Sequence, residues 1–519
     1  MTFRKFILFI TFLFKVWSMY QNDLDTILGI DQTYHPECWV GHDISTEQCN
    51  LPCITCDTIN DRIIGMDDIS FNDGFPPQIA NLNMLKVLNI YNTQGALPDI
   101  YGNLTLLEEL DFHGNVLNGA IPSTYSKLIS LKRLIVESGI SGPFPDIFEN
   151  MIDLENLSLN DNMLTGTIPN SIGRLSLLER LYLQNNNLTG TIPNELGNLI
   201  FLNDLNLEFN QLSGFIPDIF SNLASLKWVF LDNNKFIGPI PETICLLTGL
   251  WTLRIEHNNL NGSIPNCFIQ ISDLDGLHLG HNKLSGVIPD NIGDLLGLYT
   301  VDLDHNLLTG TIPVSLNQLA VPNRISLGNN QLTGTIISYI NGISDISELD
   351  LSHNKLTGII PDLSHVSSMR YFDVSFNKLS GELHDTIFEI PYIQKLYLNN
   401  NNLTGPIPKT LDQLQNLIEL DLSFNLLTGM IPVEIDGLSL EHCSLVNNSL
   451  QCPIPSRTIP CQYTCSGNGT TSETSNIFSE MKSSETSNIS IEMKSSETKS
   501  SNGWIKNPLI WLLLVINVM

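Results

Sequence analysis

Basic residues are scarce in this chain. Lysine and arginine number 25 against 54 aspartates and glutamates, a formal net charge of −29. A nucleic-acid binder needs a basic face to displace counterions from phosphate, so no nucleic-acid partner is expected. The acidic excess suits a basic or cationic partner, or simple solubility. Long apolar runs are also missing. Phe6–Phe14 and Leu509–Met519 both fall short of the roughly 20 residues that a spanning helix needs. Catalytic signatures are missing as well: no Gly-x-Ser-x-Gly, no His-Glu-x-x-His, no phosphate-binding glycine loop and no kinase signature. The expectation is a protein that is not an enzyme, with no cofactor and no metal. Carboxylates are so abundant that a chance pair spaced for sugar hydrolysis carries no weight.

What is present is a repeat. Residues 178–201 read LERLYLQNNNLTGTIPNELGNLIF, and close copies fill most of the chain, which is the mark of a solenoid. Leu181 and Leu183 alternate with Arg180, Tyr182 and Gln184, a strand period with leucines inward. Asn186 follows in an apolar frame. A buried amide must be hydrogen-bonded, and asparagine offers donors and an acceptor to the turning backbone and to the next coil. Asn115, Asn162, Asn210, Asn234, Asn258, Asn282, Asn306, Asn330, Asn354, Asn377, Asn401, Asn425 and Asn448 share that position, which predicts a stacked ladder. Leu188, Ile192, Leu196 and Leu199 complete the core. Gly190 allows a tight backbone path, and Pro193 holds Ile192 extended. There are 17 coil starts, from Ile63 to Leu440, with eight 24-residue steps between Leu154 and Ile346. The first coils are irregular, since Thr93 and Gly139 replace the asparagine. Strands about 4.8 Å apart make a strip of roughly 80 Å, a length that suits a protein or polymer better than a small metabolite.

Leu-x-x-Leu-x-Leu-x-x-Asn-x-Leu-Thr-Gly-x-Ile-Pro resembles the plant-type leucine-rich repeat, over roughly residues 63–460. The resemblance implies an α/β fold: a right-handed solenoid, horseshoe or superhelix, with a parallel β-sheet on the concave side and cysteine caps. It also implies a second short strand near Thr-Gly-x-Ile-Pro and 3₁₀ or helical turns on the convex side. Cys245 and Cys267 lie in consecutive coils. Their setting resembles a cysteine pair that staples neighbouring coils in plant receptor-like proteins, the alternative being two buried thiols.

The remaining segments follow in order. Residues 1–18 read as a secretory signal, with Arg4 and Lys5 ahead of the apolar run. Residues 19–62 form an N-terminal cap whose Cys38, Cys49, Cys53 and Cys56 suit two disulfides in a secreted chain. Zinc competes through the Cys53–Cys56 spacing. Residues 63–442 are the solenoid, and residues 443–465, with Cys443, Cys452, Cys461 and Cys465, close it, because a solenoid end exposes its core. Residues 466–503 are a Ser/Thr-rich stalk, expected to be disordered. Residues 504–519 are an apolar tail, and with small residues upstream they resemble a glycosylphosphatidylinositol attachment signal. Sequons at Asn103, Asn156, Asn187, Asn261, Asn402, Asn447, Asn468 and Asn488 fit a secreted glycoprotein held at the cell surface by a lipid anchor. A sugar on Asn156, at an outward strand position, would restrict the concave face.

Outward strand positions supply the binding candidates. Tyr182, Trp228, Phe230 and Arg254, rimmed by Glu208, Asp232 and Glu256, form the expected ligand patch, since exposed aromatics beside arginine anchor interfaces. The competing reading is aromatics packed on one another without a partner. His257, His281, His305 and His353 form a column before the ladder asparagine. Phe209, Phe376 and Phe424 occupy the same position, so packing is preferred there over metal or pH sensing. Asp302, Asp304, Asp350, Asp373 and Asp421 read as a solvated acidic face rather than a cation site. The resemblance implies a receptor-like recognition protein without a kinase, binding an extracellular protein, peptide or glycan and relying on a co-receptor to signal. The alternatives are an inhibitor of secreted cell-wall hydrolases, similar to polygalacturonase-inhibiting proteins, an adhesion or coat protein, and an enzyme of the β-helix kind.

Overall fold

The computed structural model describes residues 23–31, 36, 49, 51, 53–57, 62–336, 345–451 and 461–466. The expected signal, stalk and tail, together with Cys38, Cys452, Asn468, Asn488 and the Cys465 side chain, lie outside the described residues.

Each coil opens with a short strand. In Arg180–Tyr182, Leu181 is buried between a side chain that is exposed and one that is half-buried, as the two-residue period requires. Parallel pairing joins Asn156, Arg180, Asp204, Trp228 and Thr252 in one register row. The pairing continues coil by coil to Glu419–Asp421 and on to His442–Gln451. One strand differs: Ile54–Cys56 runs antiparallel to Ile63–Ile69 and covers the first edge of the sheet.

After the strand the ladder asparagine turns the chain. Asn210 Nδ2 donates to Leu183 O of the preceding coil at 2.9 Å and to Leu207 O and Glu208 O of its own at 3.2 Å. Its Oδ1 accepts the Leu188 N–H at 3.0 Å. One side chain thus satisfies backbone in two coils that apolar packing would leave without water. Where Thr93 replaces asparagine, its Oγ1 accepts the Phe71 N–H at 2.9 Å and keeps one rung.

A second set of short parallel strands follows, including Thr189–Gly190 against Gln211–Phe215. Gly190 has φ +80°, and a Cβ there would lie 2.7 Å from Thr167 Cγ2 of the neighbouring coil, so a side chain would be strained and would have to displace Thr167. Pro193 then opens the 3₁₀ turn Asn194–Asn198. Leu178, Leu181, Leu183, Leu188, Leu196 and Leu199 are fully buried, and Ile192 nearly so. They join the leucines and isoleucines of neighbouring coils in one continuous core.

The caps are covalent and ionic. Residues 23–31 are helical, and Ile27 and Ile30 are buried on the first coil. Asp23 is fully buried and takes Arg62 Nε at 2.6 Å, Arg62 Nη2 at 2.9 Å and the Ile63 N–H at 3.2 Å. Cys49 pairs with Cys56 and Cys443 with Cys461, and Cys53 is also disulfide-bonded. These bonds leave the Cys53–Cys56 thiols unavailable to zinc. Cys245 pairs with Cys267 and staples consecutive coils. No helix among the described residues is long and apolar enough to cross a membrane.

Candidate functional site

The sheet's exposed face collects side chains in columns, because every coil presents its strand in the same register. Trp228 and Phe230 bracket the buried Val229 and are half-buried themselves. Arg254, at the Phe230 register in the next coil, lies 5.7 Å from the Phe230 ring centroid. Trp251 lies just before the strand, outside the three outward positions the alternation picks out. It meets Trp228 edge to face at 4.9 Å and carries Lys227 over its ring at 4.7 Å. The aromatic patch is therefore a tryptophan pair with a phenylalanine. Tyr182 sits two coils back from Phe230, where its hydroxyl donates to Asp204 Oδ2 at 3.0 Å.

The expected rim divides. Glu208 and Glu256 are partly exposed, but Asp232 is fully buried and does not form a rim. Arg254 lies 4.0 Å from Glu208, 3.7 Å from Asp232 and 3.2 Å from Glu256. It screens Asp232 from water, which is why alternation alone misplaces that residue. Burial, then the adjacent Asp232 carboxylate, raises the pKa of Glu208 above the ordinary value.

The acidic series in later coils also departs from a uniformly solvated face. Asp302 is buried, where it accepts Arg324 Nε at 2.9 Å and sits 2.7 Å from His278 Nδ1. Burial pushes its pKa up, yet His278 and Arg324 outweigh burial and hold it below the usual value. Asp373 is raised to about 6 by burial, with the Asp350 carboxylate adding to the shift. A cleft of about 390 Å³ lies here, bordered by Arg324, Glu348, Asp350, Tyr371 and Lys395. Its cations are already matched, Arg324 by Asp302 and Glu348 and Lys395 by Glu419.

The column before the ladder asparagine has a backbone reason. Asn185, Phe209, Asn233, His257, His281 and His305 all have φ between +48° and +56°, the left-handed region that asparagine and histidine tolerate better than most residues. The histidines stack, His257 on His281 at 4.0 Å and His281 on His305 at 3.9 Å. His353 stacks on Phe376 at 4.0 Å. Stacked imidazoles direct their in-plane lone pairs side by side rather than toward one point, so this arrangement favours packing over metal ligation even though Asp304 adjoins His281 and His305. Among the sequons, Asn103, Asn187, Asn261, Asn402 and Asn447 are exposed and Asn156 is half-buried.

Two family models match the chain. One, described as "Leucine rich repeat", covers residues 391–450. The other, "Leucine Rich Repeat", covers 153–175, 177–199, 201–223, 273–295 and 345–365. No curated protein sequence matches at comparable significance. Solved structures do. The plant peptide hormone receptor RGFR1 in complex with RGF2 is 31% identical, with a TM-score of 0.69 over 74% of this chain and 66% of that one. The Arabidopsis receptor kinase HAESA, solved with the peptide hormone IDA and the co-receptor SERK1, is 26% identical, with a TM-score of 0.67 over 85% and 86%. A leucine-rich repeat protein of Leptospira interrogans is 28% identical, with a TM-score of 0.59 over 73% and 95%.

Proposed function

Taking as premise that the chain is a leucine-rich repeat protein of the plant type, we propose that it is a non-enzymatic, receptor-like recognition module. In this reading it acts outside the cell, binds an extended peptide across the exposed face of its main sheet, and signals through a co-receptor. The observation that carries the reading is the Trp228, Phe230 and Trp251 cluster beside Arg254 on that face. Aromatic and arginine anchors of this kind supply most of the binding energy of protein interfaces. The peptide complexes of similar receptors support peptide over glycan. The acidic surface supports a ligand that carries positive charge.

The test is capture from extracellular and membrane extracts on immobilised protein, beside a Trp228→Ala, Phe230→Ala variant. The expected outcome is a peptide or protein partner held by the wild type and lost by the variant, weakened at least 30-fold, the loss of roughly 2 kcal/mol or more that separates anchors from bystanders. Stoichiometric slowing of a secreted cell-wall hydrolase would move the protein to the inhibitors. Equal capture by both proteins would remove the patch from the account.

A further inference from the structure

Glu208, Asp232 and Glu256 occupy one position in three consecutive coils, two residues before the ladder asparagine. Strands in register hold such a column about 4.8 Å apart, and like charges on neighbouring strands repel. A single cation, Arg254, lies within 4.0 Å of all three. Three carboxylates against one guanidinium leave the column short of positive charge.

One atom fits the shortfall. Asp232 Oδ1 has no hydrogen-bond partner, although the Asp232 side chain is fully out of water. An orphaned buried acceptor is costly and rare in folded proteins. Phe230 already carries one guanidinium on its ring, and the Trp228–Trp251 pair flanks it with further flat apolar surface. In the next coil the position belongs to Gly280, where the Asp304 side chain takes the space a side chain would fill, and His278 Nδ1 lies 4.0 Å from Glu256.

We propose that this column receives a second guanidinium, an arginine side chain of the peptide ligand, held by the Glu208 and Glu256 carboxylates beside the aromatic wall. The inference rests on the peptide-binding reading above and adds the chemistry that the site selects. Arginine fits better than lysine because its planar fork spans two carboxylates and stacks on rings.

The probe is a capped glycine–serine hexapeptide carrying one arginine, with its citrulline twin as the neutral, near-isosteric control. Tryptophan fluorescence of the full-length protein is read at fixed ionic strength. The arginine peptide should give a saturable change, and the citrulline twin should bind at least tenfold more weakly. Glu208→Gln with Glu256→Gln should weaken the arginine peptide at least tenfold. Glu382→Gln, which removes one exposed charge on the second strand set, should leave it unchanged. Equal binding of the two peptides, an equal loss in Glu382→Gln, or no saturable binding by the wild type overturns the proposal. So does saturation by calcium chloride that excludes the arginine peptide, which would make the column a divalent-cation site. A natural partner lost by Trp228→Ala, Phe230→Ala but kept by the double glutamine variant would leave the receptor reading standing and sink this one.

Discussion

His281 sits between two other imidazoles and beside Asp304. Burial first, then His257 and His305, lower its pKa from 6.5 to about 4. Between those values the unfolded chain holds a proton that the folded chain does not, so stability falls as pH drops through the window. The ring is about half in water, so screening keeps the effect to about 1 kcal/mol or less. Denaturant midpoints at pH 7 and pH 4.5 check this: His281→Asn, which keeps a residue suited to positive φ, should show a smaller fall than the wild type. The column's existence is legible in the sequence from His257, His281 and His305 at a 24-residue spacing. Its left-handed backbone is not, because Phe209, Phe376 and Phe424 share the position and phenylalanine is a poor marker of positive φ.

At the scale of one coil, the ladder asparagine joins each element to its neighbour. Asn258 Nδ2 donates to Leu231 O, Ile255 O and Glu256 O, each at 3.1 Å, and its Oδ1 accepts the Phe236 N–H at 2.9 Å. Asn258→Ala strands backbone groups in two coils and should cost roughly 2–4 kcal/mol, at 1–3 kcal/mol for each unsatisfied buried group. Hydrogen exchange should show the loss concentrated in the coils that begin at Leu226 and Leu250, since repeat proteins distribute stability through nearest neighbours. This element is legible in the sequence because the repeat places an amide at one apolar position in coil after coil. Alternation misplaces Asp232 and Asp302 because it reports which way a side chain leaves its strand. It does not report that Arg254 and Arg324 fold back over the carboxylates. Alternation misses Trp251 for a related reason, since it precedes its strand and meets Trp228 edge to face.

At the scale of the molecule, the end coils of a solenoid lack one neighbour and need caps. The Asp23–Arg62 pair is buried on both sides, so Asp23→Ala leaves a buried guanidinium without its counter-charge. The expected cost is about 3–5 kcal/mol, seen as a lower unfolding midpoint with early loss of protection in the first coils. Cysteine number and position in the sequence pointed to both caps, whereas this pair was not legible, because neither residue belongs to the repeat. The unbroken 24-residue step from Leu154 to Ile346 carries one more consequence. It makes the chain a ruler graduated in units of about 4.8 Å. Inserting a whole coil between the aromatic patch and the Arg324–Lys395 cleft would lengthen the gap by one graduation and leave the chemistry at either end untouched. A ligand that reaches both is measured for its length as well as for what it carries, and gene duplication of a single coil is enough to change the measurement.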